Sequence, residues 1–322
     1  MKKLIALTLA LLMLIFPLAS CAEKTPDVIR VYTLNGTTGF GMAKMMQDNK
    51  DNEGYTFEVK TDASDVTAAL IAGTVDIAAL PTNAAANVYN KTEGGVQVIA
   101  VNTLGCLYLL TKEGTTVSTL SDLQGKTVYV PAQNPTFILT DLCKQNDLTG
   151  VTIDSTTYAK PDALRDAVAQ GAVEIAVLPE PMVTVAMSSA KKNGVNWTNA
   201  IDLTAEWDKV HAAGSLVQGC VVVRTAFLEQ YPAAVEAFLT EYKTSIEYLT
   251  QSPKEASEMI VAAGIFANAA VAEKAIPKCN VCYLDGADMK AKMQVYLAAL
   301  EGINPASIGG KLPEDGFYYV AK

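Results

Sequence analysis

The sequence predicts an α/β protein of two similar lobes, each built on a largely parallel sheet. Three observations lead there. The chain contains one stretch twice: residues 73–81 read GTVDIAALP and residues 171–179 read GAVEIAVLP, 98 positions apart and identical at six of nine positions. Solenoid repeats recur at about 20–50 residues, so a spacing this long means two copies of an α/β unit. In each copy a helix (about 65–72, and 161–170) ends at a glycine, a short apolar run follows, and Leu-Pro leads into a new helix. Short apolar runs alternating with helices along the chain indicate parallel strands with helical crossovers. In open parallel sheets ligands bind beyond the carboxyl ends of the strands. Thr82-Asn83 and Glu180-Pro181 stand at that edge in their copies. The expectation is two lobes whose strand ends face each other across a cleft.

Composition bounds the function. The chain has 322 residues, half of them hydrophobic, which suits two domains with sizeable cores. Net charge is −9 and there are three arginines, with no basic stripe, which argues against nucleic-acid binding. Lys2-Lys3 precedes an apolar run from Leu4 to Ala19, too short for a membrane span and right for a secretory signal. The run ends Leu18-Ala19-Ser20-Cys21, which resembles a bacterial lipobox. Residues 1–20 are then a signal peptide, Cys21 carries lipid, and 21–27 form the anchor and linker to the outer face of the cytoplasmic membrane. An ordinary signal peptide cut near Ala22, with Cys21 incidental, is the alternative. No later segment is expected to span a bilayer.

Five further cysteines (Cys106, Cys143, Cys220, Cys279 and Cys282) are a poor disulfide framework. Cys279 and Cys282 have metal or redox spacing, but no second pair and one histidine accompany them, so buried thiols or one local disulfide are expected and no metal or cofactor.

The elements follow in order. Val28–Leu34 is a strand, and Asn35–Gly39 a small polar turn whose glycines let backbone N–H groups approach a ligand. The turn lacks phosphate-loop spacing, so a nucleotide site is not supported. A helix at about 40–47, the strand Tyr55–Lys60, the first repeat copy, the helix 82–90 and the strand 96–101 complete the first unit. Residues 102–111 are extended and read as a crossover. The second unit runs through a helical turn at 119–125, the strand Lys126–Val130, the loop Pro131–Thr136, the helix 137–145, the strand 151–155, the helix 161–170, and the second repeat copy. A helix to Lys192 and a loop holding Trp197 follow. Leu216–Arg224 is apolar and β-branched and reads as the return crossover; everything after it reads as helical, packing on the first lobe.

These segments resemble the extracytoplasmic solute-binding lipoproteins of ABC importers, of the nitrate/sulfonate/taurine type that includes thiamine-precursor binders. The likeness lies in Asn35–Gly39, GTVDIAALPTN, VNTLGCLYLL, DLQGKTVYVPAQNP, VLPEP and PAAVEAFLTEY, in family order, together with the lipobox. The resemblance implies a type II periplasmic-binding-protein fold: two lobes joined by two hinge strands, closing over one small solute that passes to a permease. Residues 28–105 with 215–322 are then the first lobe and 106–214 the second, with hinges at 106–111 and 216–223 and a monomeric state.

By position, the cleft is lined by the strand-to-helix loops. The candidates are Asn35, Gly36, Thr37, Thr38, Thr82, Asn83, Asn102 and Thr103 from the first lobe. Gln133, Asn134, Thr136 and Glu180 come from the second. Helix N-termini suit anions. Glu180 at the start of a helix is either a cap stabilised by the dipole or a contact for a cation, and no arginine falls in these loops. The balance favours a neutral or cationic nitrogen-containing ligand. Tyr32, Tyr108, Tyr129, Phe137 and Trp207 are stacking candidates, each more often a core residue. His211 reads as solvated, and no catalytic residue is assigned, because no GxSxG elbow or second histidine is present. Asp76 and Glu174 read as strand-end groups. An enzyme on the same fold, like the menaquinone-pathway dehydratases, and a membrane-tethered ligand sensor are the competing functions.

Overall fold

The computed structural model describes residues 24–320. The predicted signal peptide and the lipidation site Cys21 lie outside the described residues. Among the described residues no helix is long and apolar enough to cross a membrane.

The first unit runs β1 (Ile29–Leu34), α1 (Thr37–Phe40), α2 (Ala43–Asp48), β2 (Tyr55–Lys60), α3 (Ala63–Ala72), β3 (Ile77–Pro81), α4 (Thr82–Lys91) and β4 (Val96–Thr103). The chain then crosses into β5 (Leu107–Lys112), β6 (Thr127–Tyr129), α5 (Asn134–Gln145), β7 (Thr152–Asp154), α6 (Pro161–Gln170), β8 (Ile175–Pro179), α7 (Met182–Lys192), β9 (Trp197–Asp202) and α8 (Leu203–Val210). It returns through β10 (Gly219–Arg224), α9 (Thr225–Gln230), α10 (Pro232–Gln251), α11 (Pro253–Ala262), α12 (Ala269–Ala275), β11 (Val281–Leu284) and α13 (Gly286–Ile303).

Two sheets result, ordered β2-β1-β3-β10-β4-β11 and β7-β6-β8-β5-β9. Leaving β11 aside, the two orders are the same. In each, two parallel pairs flank the first strand, and one strand from the far side of a crossing is inserted antiparallel before the last. Tyr32 pairs with Ala78 as Tyr129 pairs with Ala176, so the repeat seen in sequence is a repeat of register. The inserted strands are β5 and β10, the two crossings expected to act as hinges. The glycine stops are equivalent as well: Gly73 and Gly171 end α3 and α6 in the left-handed conformation, at φ 71° and 69°. The central strands β3 and β8 are buried on both faces, which is why both read as unbroken apolar runs.

Several boundaries differ from the sequence reading. The expected helix 40–47 is broken into α1 and α2. The Ser245 hydroxyl, from α10, donates to the Gly41 carbonyl and accepts from the Met45 amide, the pair that a continuous helix would bond directly. Helix α5 begins at Asn134 rather than Phe137, with Pro135 tolerated in its first turn. Trp197 opens the edge strand β9 instead of lying in a loop. The C-terminal part is not wholly helical: β11 adds four residues to the edge of the first sheet, too few to show an alternation. All five cysteines among the described residues are free thiols, and no group of three metal-ligating side chains occurs among those residues.

Asp76 and Glu174, equivalent in the repeat, have different roles. Asp76 is buried at the head of β3, where Arg30 of β1 bonds it through Nε (2.8 Å), Nη2 (2.7 Å) and its backbone N–H (3.0 Å), and Arg224 of β10 through Nη2 (2.7 Å). Three neighbouring strands are thereby tied at one point. Burial pushes this carboxyl up, but the two guanidiniums and the amide outweigh it and hold it below the ordinary aspartate range. Glu174 is exposed, and in its lobe Lys112, in the position of Arg224, donates to the Gly171 carbonyl instead.

Asp76→Asn is expected to lower stability by about 2–3 kcal/mol. That is less than for a fully buried pair, because the Arg30 and Arg224 side chains are 41% and 22% exposed. Glu174→Gln should change it by less than about 0.5 kcal/mol. Since the folded carboxyl of Asp76 is depressed, its contribution is full above about pH 4 and is lost as pH falls further. Denaturant unfolding of both variants at pH 7 and pH 3.5 checks this, and equal losses at the two pH values would contradict it.

Candidate functional site

The carboxyl ends of the strands of both sheets meet at a cavity of about 500 Å³. The loop after β1 supplies Asn35, Gly36, Thr37 and Thr38, and the end of β4 supplies Thr103. The second sheet supplies Cys106, Asn134 and Glu180. Three hydrogen bonds close the gap between the sheets: Thr37 Oγ1 to the Glu180 carbonyl (2.7 Å), Asn134 Nδ2 to Asn83 Oδ1 (2.7 Å), and Tyr108 OH to the Lys278 carbonyl (2.9 Å). The lobes are thus in contact over the cavity.

The two crossings that bring these ends together lie side by side. The Gln218 amide donates to the Thr103 carbonyl, and the Cys106 amide to Gln218 Oε1. Gly105 sits where a Cβ would come within 2.2 Å of Thr204 Oγ1, so the crossing needs glycine. Gly36 has φ 76°, which opens the loop into α1.

Seven of the twelve candidate residues line the cavity, and five do not. Thr82 is buried behind the wall, its amide bonded to the Gln218 carbonyl. Asn102 is a structural bracket, with Nδ2 donating to Tyr242 OH (3.0 Å) and the Thr38 carbonyl (3.2 Å). Asn83 touches the site only through Asn134. Thr136 caps the Pro131 carbonyl (2.8 Å), and Gln133 is exposed outside. The turn after β1 offers less than expected, because the Asn35 and Gly36 amides are taken by the Lys60 and Ile265 carbonyls.

Glu180 is 1% exposed. Its Oε2 accepts from the Thr184 amide (3.1 Å) and its Oε1 from the Thr184 hydroxyl (3.0 Å), so it caps α7 and faces the cavity at once. Pro181 is the residue before the helix, not its first. No basic side chain pairs with Glu180 among the described residues. Burial pushes its carboxyl up; the Thr184 bonds and the more distant Lys278 charge recover part of that. Asn134 adds a second acceptor, since its Oδ1 is buried with no partner. Beside them, burial and the nearby Glu180 charge push the Cys106 thiol up to about 12.

The sequence pattern of the NMT1/THI5-like family matches residues 51–256, nearly two thirds of the chain. The chain belongs to the NMT1/THI5-like family. No curated protein matches it in sequence. Among solved structures, this NMT1/THI5-like chain is similar to an ABC transporter from Parabacteroides distasonis, at TM-score 0.76 and 24% identity over 92% of this chain and all of that one. It is similar to the periplasmic aliphatic sulphonate binding protein SsuA of Escherichia coli, at 0.72 and 14% over 92% and 93%. The alkanesulfonate-binding SsuA of Xanthomonas axonopodis pv. citri, bound to MOPS, gives 0.67 and 11% over 92% and 100%. At these identities the likeness is one of fold: the two-lobed periplasmic-binding-protein fold.

Sequence reasoning missed part of the cavity wall. The loop Gly264–Ala267, between α11 and α12, forms a wall and brings Phe266 to the cavity. The signal was a helix stop at Gly264 followed by Ile-Phe, inside a region read as packing alone. None of the proposed stacking aromatics lines the cavity. Trp207 is fully buried against Tyr296, Tyr108 is buried, Tyr129 meets Tyr158, Tyr32 lies under Lys60, and Phe137 packs on the core. His211 is not solvated: its ring lies on Trp207 and its Nε2 is 2.5 Å from Asp141 Oδ2.

Because burial raises the folded carboxyl of Glu180 above its unfolded value, the stability it contributes is present at low pH and lost as pH rises through the folded value. Glu180→Gln is therefore expected to gain on the native protein between pH 4 and pH 7.5. Thermal unfolding midpoints at the two pH values measure this, and a constant difference would show that the carboxylate is not penalised.

Proposed function

We propose that the protein is a lipid-anchored solute-binding protein on the outer face of a bacterial cytoplasmic membrane, which captures one small solute and delivers it as a monomer to an ABC permease. Residues 28–105 with 215–322 act as one lobe and 106–214 as the other. They close by bending at 106–111 and 216–223. The observation that carries this reading is the cavity of about 500 Å³ walled by strand ends of both sheets, a volume in the range of small-molecule sites. Binding rather than chemistry is favoured by its titratable groups. A nucleophilic cysteine needs a lowered pKa, and Cys106 is pushed the other way.

The solute is a neutral or cationic nitrogen-containing molecule rich in hydrogen-bond donors. Glu180 and Asn134 Oδ1 are both acceptors, and a buried unpaired carboxylate attracts a cation and repels an anion. The arginines that could clamp an anion are engaged elsewhere, Arg30 and Arg224 on Asp76 and Arg165 on Asp162 and Asp166. Phe266 offers a face to a ring.

Thermal unfolding of residues 22–322 against sulfonates, nitrate, pyrimidines, amines and amino-acid-like compounds tests the assignment. A ligand at 100 times its dissociation constant adds about 2.7 kcal/mol. A shift with amines or heterocycles that Glu180→Gln abolishes is expected. A shift with sulfonates or nitrate that survives Glu180→Gln would overturn the ligand class while keeping the binding function, and a ligand-independent scattering profile would count against lobe closure.

A further inference from the structure

A groove of about 810 Å³ runs beside the solute cavity, between α7 and the segment from α12 to Lys278. One wall comes from each lobe. Lys191 and Lys192 stand in the last turn of α7, and Lys274 and Lys278 in and after the last turn of α12. Among the described residues none of the four lies within ion-pair distance of a carboxylate, and no acidic side chain lines the groove.

Helix dipoles explain part of this arrangement, since a lysine at a helix C-terminus is favourable by about 0.3–1 kcal/mol. They do not explain why four lysines line one groove that has no acidic side chain in its walls. The carboxylate that the Lys278 charge reaches is Glu180, at the far end of α7 from Lys191 and Lys192. The four lysines are exposed, and like charges gathered along one groove still repel, which a multivalent anion between them relieves. The rest of the lining agrees in sign. Trp197 lies in the groove with its indole N–H buried and unpartnered, a donor without an acceptor.

We propose that this groove is a second binding site, separate from the solute cavity, for a small soluble anion carrying two or more phosphate charges. Lysine ammonium groups act on phosphate as point charges, so four of them on facing walls suit a polyphosphate or phosphate ester better than a single halide.

The chain carries its own reporter. It has two tryptophans, and Trp207 is fully buried away from the groove, so a change in emission on adding anion reads Trp197. Inorganic pyrophosphate added to the lipid-free chain from residue 22 should alter the emission saturably, with calorimetry giving the same dissociation constant. The double variant Lys191→Gln/Lys274→Gln should weaken binding by about tenfold or more, the removal of one charge from each wall. Trp197→Phe should lose the optical signal while calorimetric binding remains. Equal affinity in the double variant and the native protein overturns the proposal, and so does the same response to sodium chloride at matched ionic strength. Binding to phosphatidic-acid vesicles without binding to free pyrophosphate overturns the soluble-anion assignment. Competition separates this site from the cavity. Pyrophosphate binding that the double lysine variant leaves unchanged, and that an amine or heterocycle bound in the cavity displaces, places the anion in the cavity and counts against both this proposal and the cationic ligand class.

Discussion

The molecule depends on an exchange of strands. β5 and β10 each belong to the sheet opposite the one the chain has just left, and each is inserted antiparallel between that sheet's own strands. Neither sheet is complete without the other's crossing. The two crossings run in contact, joined by the Gln218–Thr103 and Cys106–Gln218 hydrogen bonds and by the close approach at Gly105. With the sheets joined at these two crossings, their strand ends meet, and the loops at those ends form the walls of one cavity.

Two local devices set the chemistry of the cavity. Glu180 is held by Thr184 at the start of α7, so the helix end that an anion would have used is already occupied by the protein's own carboxylate. The turn after β1 is stabilised from outside in the same way, with the Asn35 and Gly36 amides bonded to the Lys60 and Ile265 carbonyls. The cavity keeps two acceptors without a basic partner, Glu180 and Asn134 Oδ1, beside hydroxyl and amide groups of Asn35, Thr38 and Gln218. The Asp76 cluster does the opposite work at the other end of the first sheet. It concentrates opposite charges at one buried point, where they lock β1, β3 and β10 and take two of the three arginines out of play.

Equivalent residues in the repeat diverge for a common reason. Asp76 faces two arginines because the first sheet has Arg30 and Arg224 on its neighbouring strands. Glu174 is exposed, and only Lys112 stands in a matching position, bonded to a carbonyl instead. The repeat preserves backbone register, which depends on the apolar positions, and lets the charged positions drift where they reach water.

The sequence by itself determined the fold class, the strand and helix alternation, the glycine stops and the two crossings, because periodicity and turn chemistry are local properties. It also placed Thr37, Thr103, Asn134 and Glu180 at the strand ends where the cavity lies, since strand-to-helix loops are local too. Tertiary structure alone decided which of the candidates face the cavity. Asn102 turns to Tyr242 and Thr82 is buried, and neither orientation is written in their neighbours along the chain. Phe266 joined the site from a segment some 160 residues after β4, and β11 was too short to show a period. His211 found Asp141 across 70 residues of chain, and Ser245 broke a helix 200 residues away. In each case the deciding partner lies far off in sequence, and only packing brings it into contact.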